Sequence, residues 1–328
     1  MKLDIFARHH HSQTHRLAVV MLAAMAWGFT GTLANAQSDD LVTAAGRGDL
    51  PAVNALLKAG ADVNAGSRPA LYVAAMVGNL DVVRALLAAK PDLDWRDPMV
   101  GTTALMQAIA PWRDNFPGRL PFPRGRWDIA QLLVEAGANV NVMSKTGVTA
   151  LMLVAEESSP RSLAMVQALL AAHADINGGC TTGVRQGLTA LSNSPPPTLE
   201  SLQAISRQLP LSPISDGGNY SRGGYTALGL AASTGSVEVV QALLDANVQR
   251  SANPSSAVNA TQPGGNTPLT LASAKGRSDV VRLLLAAKAD VSVADSNGKT
   301  ALMLALENNH AEVAELLRSA AAAAPGQR

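Results

Sequence analysis

From residue 39 to residue 318 the apolar side chains come in short blocks with a helical period. Val239, Val240, Leu243 and Leu244 fall at i, i+3 and i+4 spacings, as do Val280, Val281, Leu284 and Leu285, and such spacings gather side chains on one face of a helix. A shorter apolar stretch, opened by Thr, precedes such blocks. Thr267 stands where an N-cap accepts a backbone N–H, with Pro268 at the first helical position, and other stretches place Thr before Ala in the same register. Gly235 and Gly276 separate the two blocks, and Ser236 and Ser278 are expected to cap the second helix. The predicted element is a pair of short helices joined by a tight turn. Each pair has an apolar face that it cannot bury alone, so neighbouring pairs must stack to build a core.

The pairs recur. Gly101-Thr-Thr-Ala-Leu105, Gly147-Val-Thr-Ala-Leu151, Gly187-Leu-Thr-Ala-Leu191, Gly224-Tyr-Thr-Ala-Leu228, Gly265-Asn-Thr-Pro-Leu269 and Gly298-Lys-Thr-Ala-Leu302 share one motif, with Thr-to-Thr spacings of 46, 40, 37, 41 and 33 residues. A second echo lies downstream of several of them: Leu56-Leu-Lys-Ala-Gly-Ala-Asp-Val-Asn64, Leu132-Leu-Val-Glu-Ala-Gly-Ala-Asn-Val-Asn141, Leu169-Leu-Ala-Ala-His-Ala-Asp-Ile-Asn177 and Leu284-Leu-Ala-Ala-Lys-Ala-Asp-Val291. Together they resemble the ankyrin repeat, a helix-turn-helix unit that opens with Thr-Pro-Leu-His-x-Ala and has a period of about 33 residues. The resemblance covers nearly all of residues 39–318. It implies an all-α ankyrin solenoid of about eight helix-turn-helix units with β-hairpin-like connecting loops, and a protein-binding module without catalytic chemistry.

Departures from the family pattern mark where this chain is particular. Tyr72, Met106, Met152, Ser192, Gly229, Thr270 and Met303 replace the motif's His. The helix C-terminal position that favours Gly holds Gly60 and Gly137, but Lys90, His173, Asn247 and Lys288 elsewhere. A left-handed conformation there costs a non-Gly residue on the order of 1 kcal/mol. Pro195-Pro-Pro197 and the polar run from Asn247 to Gly265 stretch two units, so residues 178–265 form an irregular middle and are expected to open first.

Residues 1–36 follow a different pattern. Lys2, Arg8 and Arg16 precede the apolar run Leu17 to Phe29, and Ala34-Asn-Ala36 follows it, the order of a cleaved secretory signal. No Arg pair precedes the run and no Cys follows the cut, so the signal reads as Sec-type with cleavage after Ala36. The mature chain is expected in the periplasm or outside the cell, without stable membrane insertion, its repeat domain spanning 37–318 and a flexible tail 319–328. Cleavage lowers the formal net charge from +1 to −1 and removes His9, His10, His11 and His15.

Composition narrows the chemistry. Apolar residues are 47% of the 328 but aromatics only 3%, which favours small helices packed through Ala, Leu and Val over a sandwich or barrel. A near-neutral balance fits neither a strongly basic nucleic-acid binder nor an acidic tail. Cys180 is the single cysteine, an inert thiol or the link of a disulfide dimer, and it excludes internal disulfides and Cys-rich zinc sites. His173 and His310 fall in different units and suit turn and helix-end roles; no metal site, cofactor or catalytic triad assembles around them. Arg47-Gly-Asp49 reads as an ordinary inter-helix turn, and no phosphate-binding glycine loop occurs.

One segment stands apart. Between the two helices of the third unit the chain inserts residues 111–127, with Trp112, Phe116, Phe122 and Trp127 beside Arg113, Arg119, Arg124 and Arg126 and only Asp114 against them. Trp and Arg combine large contact area with directional hydrogen bonds, as binding hot spots require. The expected partner is another protein, held by Trp112, Arg113, Phe116, Arg119, Phe122, Arg124 and Arg126. The alternative is that these aromatics fold back on the neighbouring helices, as Trp127 is expected to, which makes the hairpin tip at Trp95 and Arg96 the better contact. Two other readings are a structural envelope component that meets anionic lipid or polysaccharide through these arginines, and an enzyme housed in residues 178–265.

Overall fold

The computed structural model describes residues 40–110, 126–157, 159–178, 225–250 and 254–323. Two compact units divide the chain, residues 1–95 and residues 96–328. The first holds two helix pairs, α1 (40–47) with α2 (Leu50–Lys58) and α3 (Ala70–Val77) with α4 (Leu80–Ala88). Leu41, Ala45, Val53, Leu71, Val83 and Leu86 are buried in it, and α2 packs on α4.

The second unit holds five pairs. They are α5 (Ala104–Ile109) with α6 (Trp127–Glu135), α7 (Ala150–Ala155) with α8 (Pro160–Ala171), α9 (Ala227–Thr234) with α10 (Val237–Arg250), α12 (Pro268–Ala274) with α13 (Ser278–Ala286), and α14 (Ala301–Glu307) with α15 (Ala311–Ala323). A short helix, α11 (Pro254–Val258), follows α10. First helices stack in the order α5, α7, α9, α12, α14, and second helices in the order α6, α8, α10, α13, α15. Ala104, Ala108, Ala150, Ala155, Ala231, Ala272 and Ala305 are all buried along the first row, where small side chains let backbones approach closely. The fold is the all-α repeat array that the sequence implied.

Local chemistry explains each pair. The hydroxyls of Thr103, Thr149, Thr226, Thr267 and Thr300 accept the backbone N–H three residues on and so cap α5, α7, α9, α12 and α14. At α12 the cap is reciprocal, since Thr270 Oγ1 accepts the Thr267 N–H at 2.7 Å. The second echo has a role too. Asp62, Asn139, Asp175 and Asp290 each turn the chain by accepting the N–H two residues on. Asn64, Asn141 and Asn259 then accept a backbone N–H from the following pair, at Asp92, Asp175 and Asp290.

Two expectations are corrected. Ser278 does not cap α13: Arg277 takes that place, without a side-chain cap bond, and Ser278 is the first helical residue. Asn247 does not end a helix, because α10 runs on to Arg250 with Asn247 buried. The extension carries the Arg250 guanidinium to the carbonyls of Leu170 and Ala174, which lie at the C-terminal end of α8. Left-handed backbone does occur at Lys90, His173 and Lys288, and also at Asn309, an Asn that adopts it readily. Helices α7 and α8 pack directly on α9 and α10, and the further pair expected from Gly187-Leu-Thr-Ala-Leu191 is not among them. That motif lies outside the described residues, which show seven pairs.

Candidate partner-binding surface

Tight tips connect one pair to the next. Before α5, Asp97 N–H donates to Thr102 O at 2.9 Å and Gly101 N–H to Asp97 O at 2.7 Å. The Asp97 carboxylate is buried and accepts the N–H groups of Met99 and Val100 at 2.8 and 3.2 Å. Before α7, Ser144 and Val148 form the same kind of closure. Before α14 the tip carries an isolated antiparallel bridge, Ala294 to Thr300. These are the β-hairpin-like loops anticipated above, though no extended strand forms among the described residues.

Neighbouring tips are tied together. Lys145 N–H donates to Val100 O at 2.9 Å, the Lys145 ammonium donates to Pro98 O, and Arg96 Nη2 donates to Met143 O at 2.6 Å. Gly101 has φ +75°, and a Cβ on it would lie 2.8 Å from the Lys145 backbone nitrogen. Glycine is therefore required twice over, by backbone conformation and by the closeness of the next tip. On this braced pair Met99 is 75% exposed and Met143 45%. The tips before α12 and α14 join similarly, through Ser296 N–H to Gly264 O at 2.7 Å.

The expected site residues distribute unevenly. Trp112, Arg113, Phe116, Arg119, Phe122 and Arg124 lie outside the described residues. Arg126 is described, as the N-cap position of α6; it is half-buried, and burial lowers its pKa from the usual arginine value. Trp127, the first residue of α6, is half-buried. Trp95 belongs to the first unit, where its ring meets Tyr72 edge-on at 5.1 Å. Arg96 belongs to the second unit and braces the tips. Met99, Met143 and Lys145 were missed by sequence reasoning. The available signal was Pro98-Met-Val100, apolar residues at a tip where the tip before α14 carries Ser296 and Asn297.

Both described histidines serve the array. His310 precedes α15 and places Nε2 3.3 Å from Ala274 O, over Gly276. Arg277 occupies the same register before α13 and reaches Ser233 O, and Asn79 before α4 reaches Ala45 O. His173 ends α8 in left-handed backbone, and its carbonyl accepts from Asn141 Nδ2. Asp49 of the Arg-Gly-Asp sequence caps α2 by accepting the Ala52 N–H at 3.0 Å. Among the described residues no group of three or more His, Cys, Asp or Glu could hold a metal ion, and no helix is long and apolar enough to cross a membrane. Cys180 lies outside the described residues.

Capped helix pairs stacked through small residues, with tips projecting between them, define a helical repeat protein. A family model described as "Ankyrin repeats (3 copies)" matches residues 41–113 and 248–325, and one described as "Ankyrin repeat" matches residues 223–256. The chain belongs to the ankyrin-repeat family. Helices α6 to α8 fall in a stretch that neither matches, yet they keep the same stacking order. No curated protein matches the chain. Ankyrin repeats are generally protein–protein interaction modules and typically non-catalytic.

Proposed function

We propose that this chain is a non-catalytic binding module that acts after export, as an adaptor, scaffold or regulator of another envelope protein. The observation that carries the reading is the exposure of Met99 and Met143 on tips whose backbone and flanking cations are already fixed. Apolar side chains held in place lose little freedom when covered, so their burial converts to affinity with a small ordering cost. Methionine adapts to the shape it meets. The insertion 111–127 is assigned to the same contact, with Trp112, Arg113, Phe116, Arg119, Phe122 and Arg124 as anchors.

A photocrosslinker placed at Met99, followed by capture from periplasmic extract, tests the reading. One protein should be captured, and capture should fail when Met99 and Met143 are replaced by Ser. Intact-mass analysis of the exported chain should give a species beginning at Gln37. A full-length cytoplasmic product, or capture indifferent to the two replacements, would overturn the corresponding half of the proposal. Salt-sensitive retention on anionic vesicles or polysaccharide in place of a protein would favour the envelope-component reading instead.

A further inference from the structure

The braced tips carry charge as well as apolar surface, and the charge has one sign. Arg96 and Lys145 are exposed and donate to carbonyl oxygens, Gly101 O, Met143 O and Pro98 O. Carbonyl contacts pin a cation without neutralising it. Among the described residues no carboxylate pairs with either side chain. The nearest acid in sequence, Asp97, is buried with its carboxylate turned to the N–H groups of Met99 and Val100. The tip before α14 is balanced by contrast: Asp295 stands beside Lys299, and Lys299 is paired with Glu307. Guanidinium and ammonium groups have more donors than these contacts use, so both cations can accept a carboxylate while they remain pinned.

We propose that the tips bearing Met99 and Met143 bind an acidic segment of a partner protein, seating one apolar side chain of it against the two methionines while its carboxylates meet Arg96 and Lys145. The inference rests on the binding-module reading and adds to it the chemistry of the partner. A peptide is favoured over an anionic lipid or glycan surface because the two cations flank exposed apolar side chains fixed in position, which suits a discrete side chain.

The test is selection of peptides from a random dodecapeptide display library on the purified chain, without reference to any captured protein. Selected peptides should combine net negative charge with Leu, Met or Phe. Binding of a synthetic representative should weaken about tenfold on replacing both cations, as for charge pairs that steer and align a complex, and should fall further with added salt. The replacements are Arg96→Gln and Lys145→Gln, which remove the charge and leave a shorter amide at each position, while the backbone bond from Lys145 N–H to Val100 O still joins the tips. Thermal melting of this variant within about 2 °C of the wild type verifies that the tips stay folded, at roughly 2–4 °C per kcal/mol. Neutral or basic selected peptides, acidic ones that bind the variant equally, no selection at all, or phosphatidylglycerol vesicles outcompeting the peptide would each overturn the proposal. A protein captured through Met99 that still binds the Arg96→Gln/Lys145→Gln chain would leave the module reading standing and remove this one.

Discussion

Gln262 is predicted to lower the stability of the array, and Gln262→Met to raise it. The residue heads the tip before α12 and is 5% exposed. A Cβ on Gly229 would lie 1.8 Å from Gln262 Nε2 and 2.1 Å from Oε1, so the amide fills the space above that glycine. At the same register Met106 and Met152 are themselves buried. Neither amide atom of Gln262 has a hydrogen-bonding partner, and mutational data put the cost of burying such a group at roughly 1–3 kcal/mol. Methionine has nearly the length and volume of glutamine, so the packing over Gly229 is kept. The tip bonds, Gln262 N–H to Asn266 O and Gly265 N–H to Gln262 O, use only the backbone and also persist. The expected gain is about 1–2 kcal/mol, which raises the melting midpoint by roughly 2–8 °C at 2–4 °C per kcal/mol for a domain of 150–250 residues. Scanning calorimetry of the wild type, Gln262→Met and Gln262→Ala separates the amide from the volume, because Ala removes both. An array need not melt in one step, so amide exchange in α9 and α12 should report the same order of protection. A Met variant that melts at or below the wild type would show that the amide is satisfied in solution and refute the reasoning.

Further outcomes follow from the same geometry. Gly101→Ala forces a Cβ against the Lys145 nitrogen at positive φ and should cost at least about 1–2 kcal/mol; urea unfolding checks it, and an unchanged midpoint would mean that the tip relaxes freely. Mild peroxide should oxidise Met99, Met143 and Met303, all exposed, before the buried Met106, Met152 and Met165; peptide mapping by mass spectrometry would show the reverse order if the tips were covered. Among the described residues three carboxylates are held below the usual range: Glu312 by Arg282, Asp290 by Ser292 and Asp295 by the Lys299 N–H. Depressed folded values mean stability that is present above the unfolded pKa of about 4 and is lost as pH falls through the lowered values. The melting midpoint should therefore decline below about pH 4, and less so in a Glu312→Gln chain.

Much of the fold was legible because it depends on neighbours in sequence. The Thr caps need only a hydroxyl and an N–H three residues on, and the apolar spacing of Val280, Val281 and Leu284 fixes a face without reference to anything distant. The misreadings have a common cause. Nothing near Asn247 shows that α10 continues, because Arg250 finds its acceptors at Leu170 and Ala174, about 80 residues earlier. Gly229 was visible as a departure, but the side chain over it comes from Gln262. The tip surface was obscure for the same reason. Arg96, expected from sequence as part of a contacting tip, acquires a fixed position only through Met143, and Met99 gains significance only once Lys145 stands against Val100.

The direct packing of α7 and α8 on α9 and α10 has an evolutionary consequence. Gly178 and Tyr225 are the described ends of the chain on either side of that joint, and the packed helices and the Arg250 bridge join the two sides. As a general matter of chain statistics, doubling the length of a loop whose ends are held adds only about 0.6 kcal/mol of closure entropy. Added length at a joint of this kind therefore costs a stack little in closure entropy. The joint is a socket in which new sequence can be tried while the flanking repeats stay folded.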